Sequence, residues 1–155
     1  MGAITLQFVG NDSLGSKLIE WYDHGQYSHV DTVLPDGSLL GARNDVIGSI
    51  PAGVQIRPAG YVLGDRMKRV VLPCSDAKEQ NYYDFVRAQI GKPYDQKAIA
   101  AFFTGRDWRN EDQWFCSELA AAGLEDAAVF CPLSAPVNKI APDDLLLVIS
   151  AMVVV

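Results

Sequence analysis

Two short stretches decide the fold of this chain: residues 27–31, Tyr-Ser-His-Val-Asp, and residues 114–119, Trp-Phe-Cys-Ser-Glu-Leu. The first is typical of a strand and carries His29, and the second places Cys116 where a helix is expected to begin. A thiolate is a strong nucleophile, an imidazole can deprotonate the thiol, and both groups titrate near neutral pH. The chain has two histidines and three cysteines, so few such pairs are available. The sequence therefore predicts a cysteine nucleophile served by a histidine.

The size and composition of the chain indicate one folded domain over residues 1–155. Its 155 residues are 49% hydrophobic, which suits a compact core and argues against disorder. The formal net charge is -6, so a basic surface for non-specific nucleic-acid binding is not expected. No apolar run approaches the roughly 20 residues of a membrane span. Residues 1–6 lack the pattern of a signal peptide, so we expect a cytoplasmic protein or one exported without such a signal.

The three cysteines favour free thiols in a reducing compartment. Cys74, Cys116 and Cys131 are odd in number and have no spacing typical of a metal site. We therefore expect no disulfide framework, and the hydrolysis expected at a cysteine nucleophile implies no metal and no organic cofactor. Cys74 and Cys131 lack a supporting context and are interpreted as core or surface residues.

Periodicity predicts strands in the first half of the chain and helices in the second. The turn Pro35-Asp36-Gly37 lies between two strand-like runs and predicts a β-hairpin. A capping-box pattern at Asp76 and Glu79 is expected to begin the clearest helix, and Gly123 is expected to end a later one. The predicted strands are 4–9, 28–34, 38–43, 54–57, 69–72 and 145–154, and the predicted helices are 13–23, 76–90, 96–103 and 115–122. This order predicts an α+β domain with helices packed against an antiparallel sheet.

The position of Cys116 in a first helical turn would activate its thiol. The positive end of the helix dipole and the free N–H groups there favour the thiolate, and the same N–H groups can donate to an oxyanion. A structural interpretation competes with this one. A cysteine between Phe115 and Leu119 can be a small core residue, and a lone histidine on a strand can be structural.

Four motifs, in their order along the chain, resemble the permuted branch of the NlpC-type papain-like superfamily, the group that includes YiiX and YaeF. The histidine strand with its Asp-Gly turn is the first, and Gly91-Lys92-Pro93-Tyr94-Asp95 resembles a Gly-x-Pro-Tyr segment. Trp114–Leu119 resembles the nucleophile helix, and Ala141–Leu145 resembles a Pro-x-Asp-Leu step. His29 precedes Cys116, as in the permuted group.

The resemblance implies a circularly permuted papain-like fold and a thiol-dependent hydrolase, a cysteine peptidase or amidase. By analogy Cys116 is the nucleophile and His29 is the general base and then the acid. Ser117 would line the site, and Tyr94 would place its hydroxyl at the cleft. The structural alternatives are that Ser117 is only a residue of the helix start and that Tyr94 is only a tyrosine at the edge of the core. The expected substrate is a peptidoglycan-type peptide, in a bacterial or phage-encoded protein. A lipid-directed acyltransferase or amidase, or a non-catalytic virion-associated binding module, are the alternatives.

The chain departs from the superfamily pattern at the residue that orients the imidazole. That residue lies on the strand after the histidine, where this chain has Gly41. Asp31 is the favoured substitute, because residues i and i+2 of a strand share a face with His29. Asn44 would lie opposite the histidine if the hairpin turn had two residues. Arg43 cannot accept the imidazole N–H, and a water or a backbone carbonyl is a further alternative.

A second departure concerns the substrate. Typical cell-wall members carry an acidic residue just before the cysteine, which suits a peptide amine. This chain has Phe115 there, which fits an acyl chain or a capped peptide equally well.

Overall fold

The computed structural model describes residues 1–10, 25–61, 66–97, 112–133 and 140–153. The described strands are β1 (Gly2–Gly10), β2 (His29–Val33), β3 (Leu39–Arg43), β4 (Gly53–Arg57) and β5 (Arg66–Cys74). The described helices are α1 (Asp76–Ala88), α2 (Cys116–Asp126) and α3 (Pro142–Val153). The predicted helix 13–23 lies outside the described residues, and of the predicted helix 96–103 only residues 96 and 97 are described.

The five strands form one antiparallel sheet in the order β4-β3-β2-β1-β5. Strand β1 lies inside the sheet, where it pairs with β2 on one side and with β5 along its whole length on the other. Helices α1 and α2 contact each other, and both pack against the sheet. The predicted α+β class, an antiparallel sheet packed against helices, is confirmed.

The main core lies between one face of the sheet and these two helices. Alternate strand residues point into it because successive side chains of a strand lie on opposite faces. Tyr82 of α1 is fully buried there, and its hydroxyl lies 2.7 Å from Thr32 Oγ1 of β2. The buried apolar strand residues of this core are Ile4, Leu6, Phe8, Val30, Leu40, Ala42, Val54, Val70 and Leu72.

The β2–β3 hairpin has a register that fixes which side chains share the opposite face. Gly37, at a φ of 84°, completes a turn in which its N–H donates to the Leu34 carbonyl at 2.8 Å. Thr32 pairs with Leu40, and Val33 pairs with Leu39. Continuing this register places residue 31 opposite residue 41 and residue 29 opposite residue 43.

The C-terminal element is a helix, so the predicted strand 145–154 is wrong. Helix α3 begins at Pro142, a residue favoured in a first helical turn because it needs no intrahelical N–H partner. The Asp144 carboxylate accepts a hydrogen bond from the Ala141 N–H at 3.1 Å. Leu145 and Ile149 are fully buried with a helical spacing of four. A continuous apolar run does not by itself distinguish a buried strand from a buried helix.

Helix α2 also continues beyond its predicted end at Ala122. Gly123 lies inside this helix, where a Cβ would lie 2.8 Å from Tyr82 Cε2 and 3.1 Å from Val86 Cγ1. The glycine is therefore explained by the close approach of α1 to α2, and the prediction that it ends the helix is wrong. Among the described residues, no helix is long and apolar enough to cross a bilayer.

Candidate active site

Cys116 is the first residue of α2, as its sequence context predicts. Phe115 precedes it with an extended backbone, φ -90° and ψ 156°, and provides no side-chain acceptor for the first N–H groups. The carboxylate of Glu118 accepts from the Phe115 N–H at 3.3 Å. Cys116 is 2% exposed, and all three cysteines are free thiols. The thiol thus lies at the positive end of a helix dipole.

The Gly-x-Pro-Tyr segment connects the sheet to the start of α2. The Val54 N–H of β4 donates to the Lys92 carbonyl at 2.9 Å. On the far side of the segment, the Trp114 N–H donates to the Pro93 carbonyl at 3.1 Å, and the Asp95 N–H donates to the Trp114 carbonyl at 2.9 Å. These bonds link β4 through this segment to Trp114, two residues before the cysteine. The motif therefore sets where α2 begins relative to the sheet.

His29 and Asp31 form an ion pair on the sheet face opposite the main core. His29 Nε2 lies 2.8 Å from Asp31 Oδ1, and the two side chains are 16% and 2% exposed. They share a face because they are two residues apart on β2. Helix α2 contacts both β2 and β3. The structure therefore brings the histidine and the carboxylate together on a strand that the cysteine helix contacts.

The charges around His29 favour its protonated form. Burial is the largest effect and works against the imidazolium, but the adjacent Asp31 carboxylate and Cys116 together outweigh it and raise the pKa of His29 from 6.5 to about 9. Arg43 opposes this rise, and Cys116 adds to it, which places the thiol within electrostatic reach of the imidazole. Burial disfavours the charged form of Asp31 too, yet the contact with His29 and the charges of Arg43 and Arg57 lower its pKa.

Gly41 makes room for the Asp31 carboxylate. A Cβ at position 41 would lie 2.0 Å from Asp31 Oδ1, far closer than any real contact. The carboxylate of β2 thus fills the space that a side chain of β3 would occupy. Asn44 is exposed, and the register places residue 43 opposite His29, so the proposed Asn44 alternative does not fit this geometry. Of the two side chains offered as substitutes, Asp31 is the one that lies against the imidazole.

Arg43 is a residue of the site that sequence reasoning set aside. Its Nη1 lies 3.5 Å from Asp31 Oδ2, and its Nε donates to Asp45 Oδ1 at 2.9 Å. Arg57, 1% exposed, donates from Nη2 to the Asp45 carbonyl at 3.2 Å. The signal that could have found Arg43 is the hairpin register, which pairs position 43 with the histidine.

Tyr94 and Ser117 have different surroundings. The Tyr94 ring lies 5.8 Å from the Phe115 ring, and burial together with the nearby Cys116 raises the pKa of its phenol well above 10. Ser117 is fully buried, and its hydroxyl donates to the Ile140 carbonyl at 2.6 Å. The expectation that Ser117 lines the site is therefore wrong, because its polar group is used to fix α2 to the segment before α3. Phe115 is also buried, at 1% exposure.

Asp143 is a second residue that sequence reasoning missed. Its carboxylate accepts a hydrogen bond from the Tyr27 N–H at 2.8 Å, two residues before His29. A Cβ at Gly25 would lie 2.0 Å from the same carboxylate. The step into α3 therefore anchors the chain that enters the histidine strand.

Comparison with known proteins identifies the fold. No family model and no curated protein matches the chain. A solved structure that does match is YiiX from Escherichia coli O157:H7, of the family of unknown function DUF1105, with a TM-score of 0.63 and 20% sequence identity. The match covers 92% of this chain and 89% of that chain. The fold is YiiX-like. At this identity the likeness extends to the fold alone.

YiiX is described as a metalloprotein. Among the described residues of this chain, no group of three or more His, Cys, Asp or Glu side chains could hold a metal ion. At the His29 site, the Asp31 carboxylate already lies between an imidazole and the Arg43 guanidinium. A cation placed there would be repelled by the arginine. These residues therefore do not fit a metal ion.

Proposed function

We propose that this chain is a cysteine hydrolase of the NlpC-type papain-like superfamily, a peptidase or amidase that forms an acyl-enzyme on Cys116. The observation that carries the proposal is the 2.8 Å His29–Asp31 pair, with Cys116 within electrostatic reach of the imidazole. A thiol, an imidazole and an orienting carboxylate are the three groups that this chemistry needs. In this proposal, residues 1–155 form one permuted papain-like domain.

The proposed reaction begins with an ion pair. A histidine with a pKa near 9 is protonated at neutral pH, and an imidazolium beside a cysteine favours the thiolate. The thiolate attacks the amide carbonyl, and the tetrahedral oxyanion accepts hydrogen bonds from N–H groups of the first turn of α2. His29 gives its proton to the leaving amine as the C–N bond breaks. It then takes a proton from the water that hydrolyses the thioester.

Two further side chains have roles in this proposal. Asp31 holds the imidazole and stabilises its charge, the role that a residue of the next strand has in the superfamily pattern. The contact with His29 weakens the non-catalytic alternative, which rested on the absence of that residue. Tyr94 keeps its phenol proton because burial raises its pKa, so its hydroxyl can donate to a substrate oxygen.

The proposed substrate is a peptidoglycan-type peptide. The lipid-directed alternative was motivated by Phe115 in place of an acidic residue. Because Phe115 is 1% exposed, its ring packs inside the protein and does not supply an apolar binding surface. The peptide substrate is therefore preferred to an acyl chain.

The direct experiment incubates the protein with murein peptides and N-acylated peptides and follows product formation by mass spectrometry. Hydrolysis is expected in the native protein and in the Cys74→Ser control, and a thioester adduct is expected on Cys116. Cys116→Ala is expected to keep its fold by circular dichroism and to lose hydrolysis. Hydrolysis that persists in Cys116→Ala would contradict the proposal.

A further inference from the structure

The side chain of Arg43 connects the His29–Asp31 pair to the segment between β3 and β4. Its guanidinium contacts two carboxylates at once, with Nη1 3.5 Å from Asp31 Oδ2 and Nε 2.9 Å from Asp45 Oδ1. A planar guanidinium can bridge two acceptors in this way, whereas the single ammonium of a lysine is a point charge. The side chain of Arg43 is 18% exposed, so these charges are only weakly screened by solvent.

Asp45 and Tyr61 contact Arg43, and Arg57 contacts Asp45. The Tyr61 hydroxyl donates to the Asp45 carboxylate, and the Tyr61 ring centroid lies 5.4 Å from the guanidinium carbon. The Arg57 guanidinium donates to the Asp45 carbonyl and lies 3.9 Å from Asp45 Oδ1. The carboxylate of Asp45 is thus fixed by three partners, and Arg43 is fixed by Asp45.

We infer that Arg43 is a positioning residue of the site, one whose charge holds Asp31 Oδ2 through a 3.5 Å ion pair without a hydrogen bond and which is itself held by Asp45 and Tyr61. This inference rests on the proposed function and deepens it. It gives Asp45, in the connection between β3 and β4, a supporting role for the site, although that connection carries none of the reacting groups.

The charge of Arg43 also bears on the proton of His29. In the described part of the chain, the charged or titratable groups that act on the imidazole are Asp31 on the same strand, Arg43 on β3 and Cys116 on α2. Asp31 and Cys116 raise the pKa of His29, and Arg43 lowers it. Without the arginine, His29 would hold its proton more tightly and would be a weaker acid for the leaving amine. Arg43 therefore moves the histidine toward a pKa suited to proton transfer near neutral pH.

The test compares Arg43→Gln, Arg43→Lys and the control Arg69→Gln. Arg69 lies on the same sheet face, but its Nε donates to Gln7 Oε1 instead of a carboxylate of the site. The His29 titration is followed by NMR, and Cys116 alkylation by iodoacetamide is followed by mass spectrometry. Arg43→Gln is expected to raise the His29 midpoint by about half a unit or more, since a nearby cation is lost. Arg69→Gln is expected to leave it unchanged.

Arg43→Lys separates charge from geometry. It keeps the positive charge, so the His29 midpoint is expected to stay near the native value. It cannot bridge both carboxylates, so Cys116 alkylation at pH 7 is expected to slow about threefold or more. If Arg43→Gln does not fold, the test rests on Arg43→Lys. Alkylation of Cys116 at the native rate in Arg43→Lys would then overturn the inference. An unchanged His29 midpoint in folded Arg43→Gln also overturns it.

The proposed function fails in a different way. If His29→Ala leaves Cys116 alkylation unchanged, the cysteine–histidine pair itself is absent, whatever the Arg43 variants do. If His29→Ala slows alkylation while the Arg43 variants behave as the native protein does, the pair is present and only the positioning role is wrong.

Discussion

The two faces of the β2–β3 hairpin have opposite chemistry although they alternate along the same ten residues. One face carries Val30, Leu40 and Ala42 into the main core. The other carries the His29–Asp31 ion pair, with Gly41 beneath the carboxylate. A shift of the register by one residue would exchange the two faces and bury the charges in the core. The hairpin register is therefore as important to the site as the identity of the charged residues.

The comparison also shows how stability is divided between the faces. The core face is held by apolar burial and by the Tyr82–Thr32 contact, whose groups stay neutral at ordinary pH because burial raises the pKa of Tyr82. The site face is held by charges whose strength changes with pH. The losses of stability caused by substitutions on the two faces should therefore differ in pH dependence as well as in magnitude.

The largest expected effect is a pH-dependent loss of stability in His29→Gln. The pKa of His29 is about 9 in the folded protein and 6.5 for an unperturbed histidine. The stabilisation that the protonated histidine gives the folded state is therefore complete below pH 6.5 and is lost as pH rises through 9. Asp31 stays ionised throughout, since its pKa is lowered. This rise in the pKa of His29 corresponds to a contribution of about 3 kcal/mol at most to the free energy of unfolding. Urea unfolding at pH 6 and at pH 9.5 measures it.

The control for this prediction removes the partner charge. In Asp31→Asn, the carboxylate that raises the pKa of His29 is absent, so the additional His29→Gln substitution should change the pH dependence little. If native protein and His29→Gln lose stability in parallel between pH 6 and pH 9.5, the ion pair does not contribute as described.

A smaller effect is expected for Gly41→Ala. The added Cβ meets Asp31 Oδ1 at 2.0 Å, so the carboxylate must move away from the imidazole. Overpacking of this kind typically costs about 1–3 kcal/mol. Cys116 alkylation at pH 7 should slow about tenfold, equivalent to about 1.4 kcal/mol in rate. Stability and alkylation are measured on the same preparations.

A double-mutant cycle isolates the clash that motivates this prediction. In an Asp31→Ala background, the carboxylate is gone and Gly41→Ala should cost much less than it does in the native protein. If Gly41→Ala destabilises the native protein and the Asp31→Ala protein equally, Gly41 is required for a reason other than contact with the Asp31 carboxylate.

The smallest effect is expected on the core face, for Tyr82→Phe. Loss of the hydroxyl leaves Thr32 Oγ1 buried without its partner, at a cost of about 1 kcal/mol. Thr32→Val in the same protein should recover part of this loss, because both polar groups are then removed. Cys116 alkylation should remain at the native rate in both variants. A severalfold change in alkylation would show that the two faces are not independent.

The sequence predicted the elements that depend on local signals. The hairpin was accessible because strand-like runs flank an Asp-Gly turn, and the beginning of α2 was predicted to within one residue from the context of Cys116. The assignment of Asp31 beside His29 needed only the two-residue period of a strand, although its role stays a prediction.

The errors concern interactions between distant parts of the chain. The apolar run before residue 154 fits a strand or a helix, and its packing as a helix depends on other elements. Gly123 resembled a helix end because the sequence does not show Tyr82 packed against it. Arg43 was set aside because it cannot accept the imidazole N–H. The sequence does not show its contacts with two carboxylates, one across the hairpin and one beyond β3.

The most direct test of the central claim is the pH dependence of Cys116 alkylation by iodoacetamide in the native protein and in His29→Ala. Cys74 and Cys131 serve as internal controls in the same mass spectra. The account predicts that Cys116 alone reacts rapidly well below pH 8.5, the usual pKa of a thiol, and that His29→Ala abolishes this advantage. A Cys116 thiol that is inert, or no faster than Cys74 and Cys131, would contradict the account.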